Sequence, residues 1–228
     1  MPDAAELVIS TMSAFIPFFR QTVKAFHTTG AIAPSSIALA RALAAPLEQR
    51  GDAPVELLEA GPGTGALTIG ILPHLREGDR LTLCEINGDF CDHLEKMFRH
   101  SKPYADYRER VTIHHGAVEE LPAERRFAHV VCGIPFNNFP PSLVEQIFSS
   151  LRNRLETGGT LNFFEYAAIR SLKRPFVSAA ERARLDAVEA IISALVVGHQ
   201  VQAQLVMGNF PPAWARSLRF ASDPPSLK

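Results

Sequence analysis

Glu59-Ala60-Gly61-Pro62-Gly63-Thr64-Gly65 decides the reading of this chain. The stretch follows a short apolar run, Val55–Glu59, and precedes Ala66–Leu75, which has helical character. Glycines let a backbone turn sharply and approach a ligand closely. Between a strand and a helix they mark the carboxyl end of a first strand in an α/β sheet, where ligands bind. The spacing is Gly61-x-Gly63-x-Gly65, led by an acid, and not the G-x-G-x-x-G of dinucleotide folds. A carboxylate at Glu59 would repel a pyrophosphate and suits a ligand that carries positive charge.

Outward from this turn, strands and helices alternate. Arg80–Ile86 reads as a second strand, followed by a helix with Phe90, Cys91, Leu94, Met97 and Phe98 on one face. Arg110–His115 and Phe127–Cys132 are the third and fourth strands. Leu143, Val144, Ile147, Leu151 and Leu155 form a further helical stripe, which Gly158-Gly159 should stop. Thr160–Tyr166 is a fifth strand, and Ser178-Ala179-Ala180-Glu181 has the form of a capping box opening a helix to about Val197. Gln200–Met207 and Ala213–Phe220 are strand-like, and their short connection predicts an antiparallel hairpin. Ahead of the first strand, Ser36–Leu47 places Ile37, Leu39, Ala40, Leu43 and Leu47 on one side. The pattern predicts a doubly wound, mostly parallel, seven-stranded Rossmann-like sheet with N-terminal helices.

Length and composition fit this picture. The chain has 228 residues, 46% of them hydrophobic, enough for one large domain. Its formal net charge of −1 gives no sign of a nucleic-acid partner. Cys84, Cys91 and Cys132 are odd in number and lie in apolar segments, so they read as buried reduced thiols. No spacing resembles a metal site. Met1-Pro2-Asp3 lacks early positive charge, and no apolar run nears the roughly 18 residues that span a bilayer. A cytoplasmic protein, soluble or peripheral to a membrane, is expected.

Glu85 ends the second strand 24 residues beyond Gly61, the place where an acid binds ribose hydroxyls. A tight turn with a surface glutamate would look similar, but the strand before and helix after favour a nucleoside site. The acidic E-x-G-x-G-x-G form resembles the first motif of the large S-adenosylmethionine-dependent methyltransferase family. That ligand has no phosphate, and its sulfonium and amino groups are positive. The resemblance implies that Glu59, Ala60, Gly61, Pro62, Gly63 and Gly65 cradle S-adenosylmethionine, with Glu85 and Ile86 at the ribose and adenine face. Gly116, Ala117 and Val118 would line the adenine edge, with Ala117 where many members carry Asp or Asn.

Gly133-Ile134-Pro135-Phe136 resembles the motif that presents an acceptor nitrogen to the methyl group. Nucleic-acid amino methyltransferases begin it with Asn or Asp. Gly133 has no such side chain, which counts against a nucleobase. More narrowly, the chain is similar to the bacterial phospholipid N-methyltransferases and their ornithine-lipid relatives. The matching stretches are Thr29–Ser36, the Glu59 turn, Gly133–Pro141, Phe163–Tyr166 and Asn209–Ala213. This resemblance implies methyl transfer to a lipid amine, with Pro135, Phe136 and Tyr166 at the acceptor and Glu165 a further candidate for positioning it. It divides the chain into an N-terminal helical segment, residues 1–50, serving as membrane contact or pocket lid, and a methyltransferase domain, residues 51–228.

Independently, Val8, Met12, Phe15, Ile16, Phe19, Val23 and Phe26 recur at helical spacing, with Arg20, Lys24 and His27 towards the end. Such a stripe can lie in a membrane interface at the inner face of the cell membrane, or pack on the sheet or a second subunit. Pro17 would bend or interrupt that helix. Arg170, Lys173 and Arg174 could contact a lipid anion or simply be solvated. His114 and His115 alternate across a strand, so neither need reach the site. The competing readings are an RNA adenine dimethylase, a small-molecule N-methyltransferase and a catalytically dead binding partner. Neutral charge and a chain ending just after the hairpin weigh against RNA; the intact glycine turn and Glu85 weigh against a dead enzyme.

Overall fold

The computed structural model describes residues 36–167 and 177–220. Seven strands form one sheet: β1 (Glu56–Ala60), β2 (Arg80–Glu85), β3 (Val111–His115), β4 (Phe127–Cys132), β5 (Leu155–Tyr166), β6 (Gln200–Val206) and β7 (Ala213–Arg219). Their order is β3-β2-β1-β4-β5-β7-β6. The β1–β2, β2–β3, β1–β4 and β4–β5 pairs are parallel, and β7 runs antiparallel between β5 and β6. The order reverses beside β1, and in open α/β sheets that switch point opens a crevice at the carboxyl ends of the strands.

Helices cover both faces because the central strands are apolar on both sides. Alternation along them divides the core. Leu58, Ala60, Val130, Cys132 and Phe163 face helices α4 (Pro141–Asn153) and α5 (Ala179–His199). Leu57, Leu83, Val131 and Phe164 face α1 (Ile37–Ala44), α2 (Thr68–Ile71) and α3 (Gly88–His100). Residues 36–49 therefore share the core of the sheet, with Leu39, Ala40, Leu43 and Leu47 at most 1% exposed. The helix crosses so near α2 that a Cβ on Gly70 would lie 2.5 Å from the Ala40 carbonyl carbon. At the opposite end of the strands Asp79, fully buried, accepts from the Arg50 guanidinium and from the amides of Val55 and Arg76.

Several elements differ from the sequence reading. The expected Ala66–Leu75 helix is the four-residue α2 followed by a 3₁₀ turn, Leu72–His74. Pro73 has no N–H to continue an α-helical ladder. Leu155 opens β5 instead of closing α4, which ends at Asn153. Gly158-Gly159 is accordingly no helix stop. Between the pairs Phe127–Leu155 and His129–Thr160 the strand bulges, and Gly158 turns it at φ +78°. Ile37, expected inward, is 56% exposed. The Ser178 cap holds as expected, its hydroxyl accepting from the Glu181 amide. All three cysteines are free and buried. The Val8–Phe26 stripe, Thr29–Ser35 and the Arg170, Lys173, Arg174 cluster lie outside the described residues.

Candidate active site

The strand ends are joined by a row of backbone bonds. Gly61 donates to the Cys84 carbonyl, Gly116 to that of Glu85 and Gly133 to that of Ala60. Above them the glycine turn takes left-handed angles at Gly61, Gly63 and Gly65, which side-chain-bearing residues rarely adopt. Each glycine has its own reason. A Cβ on Gly63 would meet nothing within 4 Å, so this position borders open space. One on Gly65 would press on Met97, Leu94 and Tyr104, and the Tyr104 hydroxyl donates to the Gly65 carbonyl. Gly133 is glycine because a Cβ there would lie 2.4 Å from the Gly61 carbonyl oxygen.

A cavity opens between these strand ends and α4. Ala60, Gly61, Glu85, Ile86, Gly116, Ala117 and Val118, which the sequence resemblance assigns to the cofactor, line it. Glu59, Pro62, Gly63, Gly65 and Gly133 do not. Sequence reasoning missed Glu119, Ile134, Leu143, Ile147, Ser150 and Leu151, which supply the far wall. The α4 stripe had marked three of these as apolar, but periodicity cannot say whether an apolar face meets core or cavity.

Glu85 is 3% exposed, and its carboxylate accepts from the amides of Gly63 at 3.0 Å and Asn87 at 2.9 Å. Burial raises its pKa, while the amides of Asn87, Gly63 and Ile86 oppose the rise. Each oxygen can accept further bonds, so a ribose diol would find a pre-oriented acceptor.

Glu59 alternates onto the other face of β1, fully buried, with one oxygen on the Thr68 hydroxyl at 2.7 Å and the other without a partner. Burial pushes its carboxyl up to about 8, the Thr68 bond opposing and Glu85 adding. An unpartnered buried carboxylate oxygen beneath the turn is a place for a cationic ligand group or a water that serves it.

Pro135 and Phe136 are brought together with the distant Tyr166 in a second, smaller cleft, with Asn137, Phe164, Glu165 and Ile192. Consecutive residues Ile134 and Pro135 line the two cavities in turn. Phe136 is itself a core residue, 2% exposed and stacked on Phe148 at 4.4 Å, so its ring is fixed. Glu165 pairs with Arg216 at 2.9 Å. Burial pushes the Tyr166 phenol up to about 12, so it stays protonated near neutral pH. Neither His114 nor His115 lines either cavity. Beside the cleft, Ala213 pairs with Tyr166, which brings the β6–β7 turn to the same rim. There Met207 is 70% and Phe210 82% exposed. Among the described residues no cluster of His, Cys, Asp or Glu could hold a metal, and no helix is long and apolar enough to cross a membrane.

Comparison with known proteins bears on this architecture. Residues 57–159, from β1 into β5, match the family model described as a methyltransferase domain. No curated protein matches the sequence. Among solved structures, the Burkholderia thailandensis 1,6-didemethyltoxoflavin-N1-methyltransferase, with bound 1,6-didemethyltoxoflavin and S-adenosylhomocysteine, is similar at TM-score 0.59. Its sequence identity is 16%, over 97% of this chain and 93% of that one. An O-methyltransferase from Bacillus cereus in complex with S-adenosylhomocysteine gives TM-score 0.58 at 13% identity, over 87% and 89% of the two chains. The N-methyltransferase NodS of Bradyrhizobium japonicum WM9, also with S-adenosylhomocysteine, gives 0.53 at 14%, over 81% and 84%. At such identities the likeness speaks for the fold, and the matched domain for the chemistry. The chain thus carries a methyltransferase domain over residues 57–159, on a fold shared with methyltransferases solved with S-adenosylhomocysteine.

Proposed function

We propose that the protein methylates the amine of a membrane-lipid head group, such as phosphatidylethanolamine or an ornithine lipid. One observation carries this reading: a largely apolar cleft at the carboxyl end of β5 shares its rim with a turn that exposes Met207 and Phe210. The stretches that resemble lipid N-methyltransferases, Gly133–Pro141, Phe163–Tyr166 and Asn209–Ala213, meet at this edge. The packing of Gly133 against Gly61 leaves no room for the Asn or Asp that would hold a nucleobase amine.

When bound, S-adenosylmethionine supplies a methyl group on a sulfonium. Ala60, Gly61, Ile86, Gly116, Ala117 and Val118 would hold it, with Glu85 on the ribose and the Gly63 amide kept in place by Glu85. Glu59, set under the turn, and Gly65 and Gly133, set by packing, would shape that cradle. An ammonium has no lone pair, so the acceptor must lose its proton. The low polarity around Pro135, Phe136 and Ile192 disfavours the charged form. Glu165 already answers Arg216, so it can orient an N–H without holding the amine charged. Tyr166, protonated, offers a hydroxyl for the same purpose. Most of the work is alignment. We place the protein at the cytoplasmic face of the membrane, with residues 6–27 as a peripheral contact.

Incubation with labelled S-adenosylmethionine and total bacterial lipid, followed by mass spectrometry, tests the substrate. Label in amine-bearing lipids is expected. Label confined to water-soluble molecules or to RNA overturns the lipid reading. Replacing Phe15 and Phe19 by Asp should abolish vesicle co-sedimentation and retain turnover of a detergent-dispersed short-chain lipid. Co-sedimentation at the wild-type level would refute the membrane role of residues 6–27.

A further inference from the structure

The loop that follows β4 carries Pro135 and Phe136 into the smaller cleft, and part of its backbone is held from α5. Pro135, Pro140 and Pro141 have no N–H. The carbonyls of Pro135 and Phe136 are used within the loop, by the amides of Asn138 and Phe139, and that of Pro140 by the first turn of α4. Those of Asn137 and Phe139 both go to a single side chain on α5. The Arg184 guanidinium donates to Phe139 at 2.6 Å and to Asn137 at 2.8 Å, across 45 and 47 residues of sequence. On its other side Arg184 donates to both carboxylate oxygens of Glu181, from Nε at 2.8 Å and from a terminal nitrogen at 2.6 Å. Glu181 lies in the first turn of α5, where its amide meets the Ser178 cap.

A guanidinium is a rigid planar fork. Fixed by Glu181, it presents its remaining donors in one direction, and two loop carbonyls lie there. The side chain lines neither cavity itself, but one carbonyl it holds belongs to Asn137, a lining residue of the smaller cleft. Its geometry serves the loop. Pro135 and Phe136 immediately precede the bonded carbonyls, and Ile134 before them lines the larger cavity. A small rotation of the loop would therefore move the wall between cofactor and acceptor, and small misplacements weigh heavily where alignment does the catalysis.

We propose that Arg184, oriented by Glu181, is a positioning residue that sets the Pro135–Phe139 loop against the cofactor. The proposal rests on reading the Pro135–Tyr166 cleft as the acceptor site. It separates two properties that a general loss of structure would lower together: methyl-transfer rate and cofactor affinity.

The test uses full-length protein with Arg184→Ala, Arg184→Lys and Glu181→Gln. Three quantities are measured: calorimetric affinity for S-adenosylhomocysteine, turnover of phosphatidylethanolamine in detergent micelles, and hydrogen exchange of the peptide covering residues 134–140. Arg184→Ala and Arg184→Lys should lower kcat at least tenfold, with KM and S-adenosylhomocysteine affinity within twofold of wild type and faster exchange in the loop. Glu181→Gln, which keeps the fork but loosens its aim, should fall between. Added methylguanidinium should restore part of the Arg184→Ala rate. A folded Arg184→Ala protein with kcat within twofold of wild type overturns the proposal, as does loss of cofactor affinity in step with rate. Should Arg184→Ala fail to fold, the same limits on rate and affinity apply to Arg184→Lys and Glu181→Gln and decide the matter. If wild type leaves phosphatidylethanolamine unmethylated, the lipid reading falls by itself. Loop exchange then decides: acceleration in Arg184→Lys supports the clamp, and unchanged exchange overturns it.

Discussion

Replacing Glu85 by alanine perturbs the cofactor site and its scaffold at once, and the two effects can be separated. The carboxylate lines the cavity and also accepts the amides of Gly63 and Asn87. Hydrogen bonds to a charged group contribute about 1.5–3 kcal/mol each. Two ribose hydroxyls on this carboxylate would thus lose more than the roughly 1.4 kcal/mol that makes a tenfold change in affinity. From the sequence, little loss of stability would be expected of this change. The structure corrects that, because two backbone amides lose their acceptor, one of them at the N-cap of α3. Removing a buried carboxylate whose pKa is raised returns part of that loss, leaving a net destabilisation of roughly 1–2 kcal/mol. Calorimetry with S-adenosylhomocysteine should show affinity lowered at least tenfold, and urea unfolding should show the smaller stability loss. Glu85→Gln, isosteric but uncharged, should bind more weakly than wild type and unfold less readily than the alanine variant. A folded Glu85→Ala protein that binds S-adenosylhomocysteine within twofold of wild type would remove Glu85 from the site.

Gly63→Val should abolish S-adenosylhomocysteine binding, since Gly63 sits at φ +56° and a β-branched residue there is both strained and set in the open space over the turn; unchanged calorimetric affinity would refute it. Glu59 has its folded pKa raised from 4.5 to about 8, so the folded protein holds a proton that the unfolded chain has released. Stability from this group is full below pH 4.5 and is lost as pH rises towards about 8, by roughly 3–5 kcal/mol over the window. Glu59→Gln should flatten that slope in pH-dependent unfolding, and an unaltered slope would reject the assignment. Asp79→Ala leaves the Arg50 guanidinium buried without its partner and should cost about 3–5 kcal/mol in urea unfolding. Where it remains folded, S-adenosylhomocysteine affinity should be unchanged, because the pair lies at the far end of the strands from the cavity.

Much of the architecture was legible because it is written in local patterns. Phe127–Cys132 is a strand with the bounds its apolar run implies, and the Ser178 cap forms as its spacing suggests. The stripe Cys91, Leu94, Phe98 turns inward on α3. Hairpin pairing of β6 with β7 follows from two strand-like runs and a short turn. Boundaries set by competition were not legible. Leu155 fits a helical stripe and a strand equally well, and β4, offering its edge, draws it into the sheet. Ile37 satisfies the period of α1 and still faces outward.

The candidate site divides in the same way. The sequence by itself determined the kind of ligand: glycines after an apolar strand, an acid leading them and another ending the next strand are chemical choices, made residue by residue. Only the tertiary structure decided which of these groups reach the cavity. It carried Glu59 to the opposite face of β1, made Gly65 and Gly133 sites of close packing, and brought Glu119, Ser150 and the α4 face to the cavity wall. It also set Arg184 on the carbonyls of Asn137 and Phe139, far away along the chain. The reason is physical. Residue type and period fix what a side chain can bond and how an element alternates, but the register of parallel strands and the crossing of helices choose its neighbours.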